Sequence, residues 1–85
     1  MKDHEEIKTA IRERLRRAFP SDTVDVTDGY QENIHVMVVS RQFDTLKERE
    51  KQEFLWNLID DAGLEESEKQ LISLILPVSP EELRQ

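Results

Sequence analysis

Leu71-Ile72-Ser73-Leu74-Ile75-Leu76-Pro77 is the stretch whose reading decides the fold. Its aliphatic run is far shorter than the roughly 20 residues that cross a bilayer, and proline closes it, so it predicts a strand. The nearly unbroken run of aliphatic side chains predicts burial on both faces. A helix-forming segment precedes it, and before that lies a second β-branched run. A strand reached through a helix predicts a parallel pairing with an earlier strand, by a right-handed crossover.

Working outward, Ile34-His35-Val36-Met37-Val38-Val39-Ser40 alternates, with Ile34, Val36 and Val38 on one face and His35, Met37 and Val39 on the other. Residues 24–27 form a shorter β-branched run, and Asp28-Gly29 opens the polar connection 28–33. These features predict a hairpin with a loop longer than two residues, in a half-buried antiparallel sheet.

The helices are marked by caps. Asp3 with Glu6 fits a capping box, and Ile7, Ala10, Ile11, Leu15 and Ala18 make one apolar stripe that Pro20 ends. Thr45 with Glu48 fits a second box, opening a helix that runs to Ala62 with Gly63 as its left-handed stop. Residues 47–53 carry no apolar side chain, so the first two turns are expected in solvent or against a partner. Successive helical residues turn about 100°, which sets Trp56 about 200° from Phe54, so one of the two must lie at the periphery of the core. Residues 65–70 are acidic and helix-permissive, and Ser79 caps a terminal turn with Pro80 at its first position. The fold class is therefore α+β: one domain, 1–85, with a small three-stranded mixed sheet and helices packed on one face. The order is helix, strand, strand, helix, short helix, strand, helical turn.

Of the 85 residues 36% are hydrophobic and 36% charged, and none is cysteine. Thiol nucleophiles, disulfides and thiolate metal sites are thereby excluded, and stability must come from packing or a partner. The amino terminus lacks the apolar core of a signal peptide, so a cytoplasmic location without membrane contact is expected. The net charge of -7 disfavours nucleic acid and anionic lipid. It is uneven, because residues 1–20 hold six basic against four acidic residues, or +2, leaving -9 for the remainder. Arg12, Arg16 and Arg17 on the first helix are thus the residues of a nucleic-acid alternative. The serines lie in no Gly-x-Ser-x-Gly elbow, and His4 and His35, some thirty residues apart, suggest neither a triad nor a metal centre.

Four segments resemble the BolA family, whose small domain is an α+β fold like a type II KH domain. Residues 7–20, ending Ala18-Phe19-Pro20, are similar to its first helix and turn. Ser40-Arg41-Gln42-Phe43 resembles its Ser-x-x-Phe corner, residues 47–59 its motif helix, and Ser79-Pro80-Glu81-Glu82 its closing tail. The departures are as informative. Thr45-Leu46 stands where the family has Gly-Lys, and Lys51-Gln52 where it has Arg-His. That histidine serves the family toward an iron-sulfur cluster shared with a monothiol glutaredoxin, and glutamine cannot replace imidazole on iron. The Gly-x-x-Gly loop by which KH domains approach phosphates is also missing.

The resemblance and the residues together imply a non-enzymatic interaction or regulatory module, without cofactor or cluster ligation. A protein partner is expected at Arg41, Lys47, Arg49, Lys51, Gln52 and Trp56, with the chain a monomer or weak dimer. The alternatives are weak nucleic-acid binding through the first helix and an iron-sulfur or metal trafficking adaptor with a monothiol glutaredoxin.

Overall fold

A computed structural model describes residues 2–84. The elements run α1 (His4–Ala18), β1 (Thr23–Asp28), β2 (Ile34–Val39), a 3-10 turn (Arg41–Phe43), α2 (Glu48–Asp60), α3 (Glu66–Lys69), β3 (Ile72–Val78) and a second 3-10 turn (Pro80–Arg84). The sheet order is β1-β2-β3, with β1 antiparallel and β3 parallel to the central β2. Fold class and element order are those expected from the sequence. The core is a single layer between the helices and one sheet face: Ile7, Ile11 and Leu15 of α1 and Leu55 and Ile59 of α2 lie over Val24, Val26, Ile34, Val36 and Val38.

The decisive strand differs from expectation in two ways. It is buried on one face only, with Leu74 and Leu76 exposed at 40% and 42%. Ser73 is a bulge: Ile34 lies opposite Ile72, while the next residue, His35, lies opposite Leu74. The extra residue lets both Ile72 and Ile75 face the core, so the inward positions are spaced by three and the aliphatic run masks a one-faced strand. The strand also continues through Pro77 to Val78. The Ser40 N–H donates to the Val78 carbonyl at 3.0 Å, so the alternate residues 75 and 77 turn their backbone groups away from β2. Proline at 77 forfeits no ladder bond, as edge strands allow.

Both halves of the α1 capping box form, with Glu6 N–H to Asp3 Oδ1 at 2.8 Å and Asp3 N–H to Glu6 Oε1 at 3.1 Å. The second box is displaced. The Leu46 N–H is taken by the Phe43 carbonyl at 3.1 Å, and α2 begins at Glu48, where Lys47 N–H donates to Glu50 Oε1 at 2.8 Å. Thr45 caps nothing there. The helix ends at Asp60, two residues before the expected Ala62, and Gly63 follows with φ of 78°. Its central stripe is Lys51, Leu55 and Ile59, so Phe54 and Trp56 flank the core on opposite sides, both half-buried. A Cβ at Gly29 would lie 2.4 Å from His35 Nε2, so a larger residue there would displace the imidazole ring.

One-sided burial of the sheet makes a measurable contrast. Leu55→Ala, which empties a fully buried site, is expected to cost about 2–5 kcal/mol in urea unfolding. Leu74→Ala on the outer face is expected to stay below about 1 kcal/mol. Equal losses would mean that β3 is covered on both sides.

Candidate interaction surface

The corner after β2 is built on phenylalanines. Phe19 from the end of α1, Phe43 from the 3-10 turn and Phe54 from α2 meet with ring centroids 5.6–5.9 Å apart. Such pairs add about 0.5–1.5 kcal/mol each to their burial. Ser40, itself buried, accepts the Gln42 N–H on its hydroxyl at 3.0 Å, and the Gln42 amide donates to the Ala18 carbonyl at 3.2 Å. The corner is thus fixed from inside, while Arg41 and Lys47 project outward. Arg49 is also exposed, and its ion pair with Glu53 at 3.2 Å, one helical turn on, is of the weak surface kind.

The other three residues of the expected surface are placed differently. Lys51 is only 5% exposed, and its ammonium lies 3.0 Å from Glu48 Oε1 and 2.7 Å from Glu82 Oε1. Glu82 in turn accepts the Ser79 N–H at 2.9 Å. The Ser79-Pro80-Glu81-Glu82 tail therefore docks on α2, and the first turns of that helix are not wholly solvated. The hydrogen bonds from Lys51 and from the Ser79 N–H hold the Glu82 carboxyl below its ordinary pKa. Those to Glu82 and Glu48 raise Lys51. The Gln52 amide donates to the outward carbonyl of Ile75 at 3.0 Å, across the edge of β3. Trp56 lies half-buried beside the same edge, next to Gln52 and Ile72.

The basic helix is also partly engaged. The Arg12 guanidinium donates to the Val26 carbonyl on β1 at 3.2 Å, and Arg14 pairs with Asp61 at 3.0 Å. Arg16 and Arg17 remain exposed beside an open groove that reaches Ala62. That groove lies by the carboxyl ends of both α1 and α2, where the helix dipoles disfavour an anion.

No protein-family model matches the sequence, and no curated protein is similar to it. Among solved structures, the chain superposes on the NMR structure of a BolA-like hypothetical protein from Rickettsia prowazekii with a TM-score of 0.62. The match has 20% identity and covers 84% of this chain and 91% of that one. The chain has a BolA-like fold. In that fold Gln52 stands where the family resemblance implies the ligating histidine, and its amide is already bonded to Ile75. His4 bonds to Asp28 at 2.7 Å at the start of α1, and His35 packs over Gly29 on the outer sheet face. No group of three or more His, Cys, Asp or Glu side chains converges among the described residues. Position 52 holds an amide rather than an imidazole. No helix among the described residues is long and apolar enough to cross a membrane.

Two signals in the sequence pointed at these contacts without revealing them. Glu82 of the tail supplies the acid for Lys51, and the buried Glu68 accepts the N–H groups of Glu65 at 2.8 Å and Lys2 at 2.7 Å, which lower its pKa. Both carboxylates bind protons less readily in the folded chain than at the ordinary value of 4.5, so their contribution to stability is complete above that value. It is lost as pH falls below 4.5 through the lowered values. The urea midpoint is expected to drop with acid over that window, and Glu82→Gln is expected to lower it at neutral pH while flattening the acid slope. Parallel curves for the two proteins would show that the Lys51–Glu82 contact does not form.

Proposed function

We propose that the chain is a non-enzymatic, cytoplasmic interaction or regulatory module, docking on an acidic protein surface through Arg41, Lys47 and Arg49. The observation that carries this reading is the corner itself: a phenylalanine cluster and the hydrogen bonds of Gln42 to the Ser40 hydroxyl and the Ala18 carbonyl brace the turn while its cations point to solvent. Preorganised charge on a fixed support limits the ordering cost of association. The BolA-like fold supports the same class. Lys51, Gln52 and Trp56 act in this account as the framework of α2, bracing the surface from the tail and from β3. The adaptor reading is set aside because position 52 offers no ligand to iron.

Affinity capture from a native cytosolic extract tests the proposal. Wild-type chain is expected to retain a set of acidic proteins in a salt-sensitive manner, since exposed charge is screened within about 10 Å at 0.1 M salt. The variant carrying Arg41→Glu, Lys47→Glu and Arg49→Glu is expected to lose that set while keeping its circular dichroism. Arg16→Glu with Arg17→Glu is expected to retain it. Loss in the second variant with retention in the first would move the function to α1 and to the nucleic-acid reading.

A further inference from the structure

We propose that the outer edge of β3 is a self-pairing surface held closed by Gln52, and that its occupant is the same strand of a second copy of this chain. The edge has the properties of a pairing template. β3 is the last strand of the sheet order, and residues 71–78 carry no charged side chain, whereas β1 at the opposite edge carries Asp25 and Asp28. Uncharged aliphatic edge strands are those that add to one another unless something blocks them. Here an open groove runs beside the strand, lined by Gln52, Trp56, Ile72, Ser73, Leu74 and Ile75, so no helix covers the edge. What bonds to its outward backbone is one side-chain amide, on the carbonyl of Ile75 at 3.0 Å, with Trp56 beside it.

The register follows from the backbone. Ile75 turns both its N–H and its carbonyl outward, by the alternation that the Ser40 to Val78 bond imposes. An antiparallel two-fold pair centred on Ile75 lets each copy exchange two hydrogen bonds with the other at that residue. The same register sets Leu74 against Leu76 of the second copy, and Leu76 against Leu74. These are the two leucines left 40% and 42% exposed on the sheet's outer face. The strand is thus complementary to itself in side chains as well as in backbone. Pairing requires the Ile75 carbonyl, which Gln52 holds, and Pro77 supplies no N–H to extend the ladder. The net charge of -7 adds repulsion between copies. In the wild-type chain these terms keep the edge shut.

Sedimentation equilibrium and amide hydrogen exchange over a concentration series test this on the full chain. The wild type is expected to be monomeric, with the Ile75 amide exchanging freely. Gln52→Ala is expected to tighten self-association by about thirtyfold or more, two released carbonyl contacts at ordinary net strength. Its Ile75 amide is expected to gain protection as concentration rises. Adding Leu74→Lys is expected to return it to monomer. Gln52→Met, which keeps the length of the side chain without its donor, is expected to repeat the result should the alanine variant unfold. A wild type already paired at β3, a variant whose association is unchanged or leaves Ile75 unprotected, or a dimer that survives Leu74→Lys would each overturn the proposal.

Discussion

The parallel pairing of β3 with β2 is the constraint on which the rest of the molecule depends. A parallel partner cannot be reached by a tight turn, so the chain must cross over one sheet face, and α2 is that crossover. It lands beside α1 because both helices bury their stripes on the same strands. The result is a sheet covered on one face and open on the other, with two free edges. Every feature of functional interest lies on that frame: the corner where β2 turns toward α2, the tail that returns to Lys51 after β3, and the edges themselves.

Each free edge is reached by one side chain of the helix above it. Arg12 of α1 reaches the Val26 carbonyl on β1, and Gln52 of α2 reaches the Ile75 carbonyl on β3. Each contact satisfies a backbone acceptor that lies outside the sheet ladder, at a net gain of about 1 kcal/mol. Each also removes a residue from the list of groups free to meet a partner. Position 52 is the more telling, because the resemblance to BolA proteins implies an imidazole there. In this chain the same place in the fold holds an amide whose donor is directed at its own strand. The outward cations of the surface are then Arg41, Lys47 and Arg49.

Much of this was readable from residues alone, and the rest was hidden for physical reasons. Asp3 with Glu6, Pro20, Gly63 and the alternation of β2 are local signals, and they placed α1 and the central strand and put the end of α2 two residues late. Thr45 with Glu48 is an equally good local signal for a helix start, yet Lys47 takes an extended backbone, φ -76° and ψ 160°, and the helix starts at Glu48. Ser73 is the one polar residue in an otherwise aliphatic run and nothing in its type announces a bulge, so a one-faced strand reads as a two-faced one. Lys51 has only polar neighbours in sequence, and its burial follows from Glu82, which lies thirty-one residues away. Contacts of that range are set by topology and carry no periodicity to find.

The central claim is that Gln52 closes the edge of β3, and it is open to direct observation in the native chain. A hydrogen-bond scalar coupling measured by NMR between the Gln52 side-chain nitrogen and the Ile75 carbonyl carbon reports that single contact. The account predicts a resolved coupling, with the Gln52 amide protons exchanging more slowly than those of the exposed Gln31 and Gln70. An absent coupling together with exchange as fast as at those two residues would contradict it.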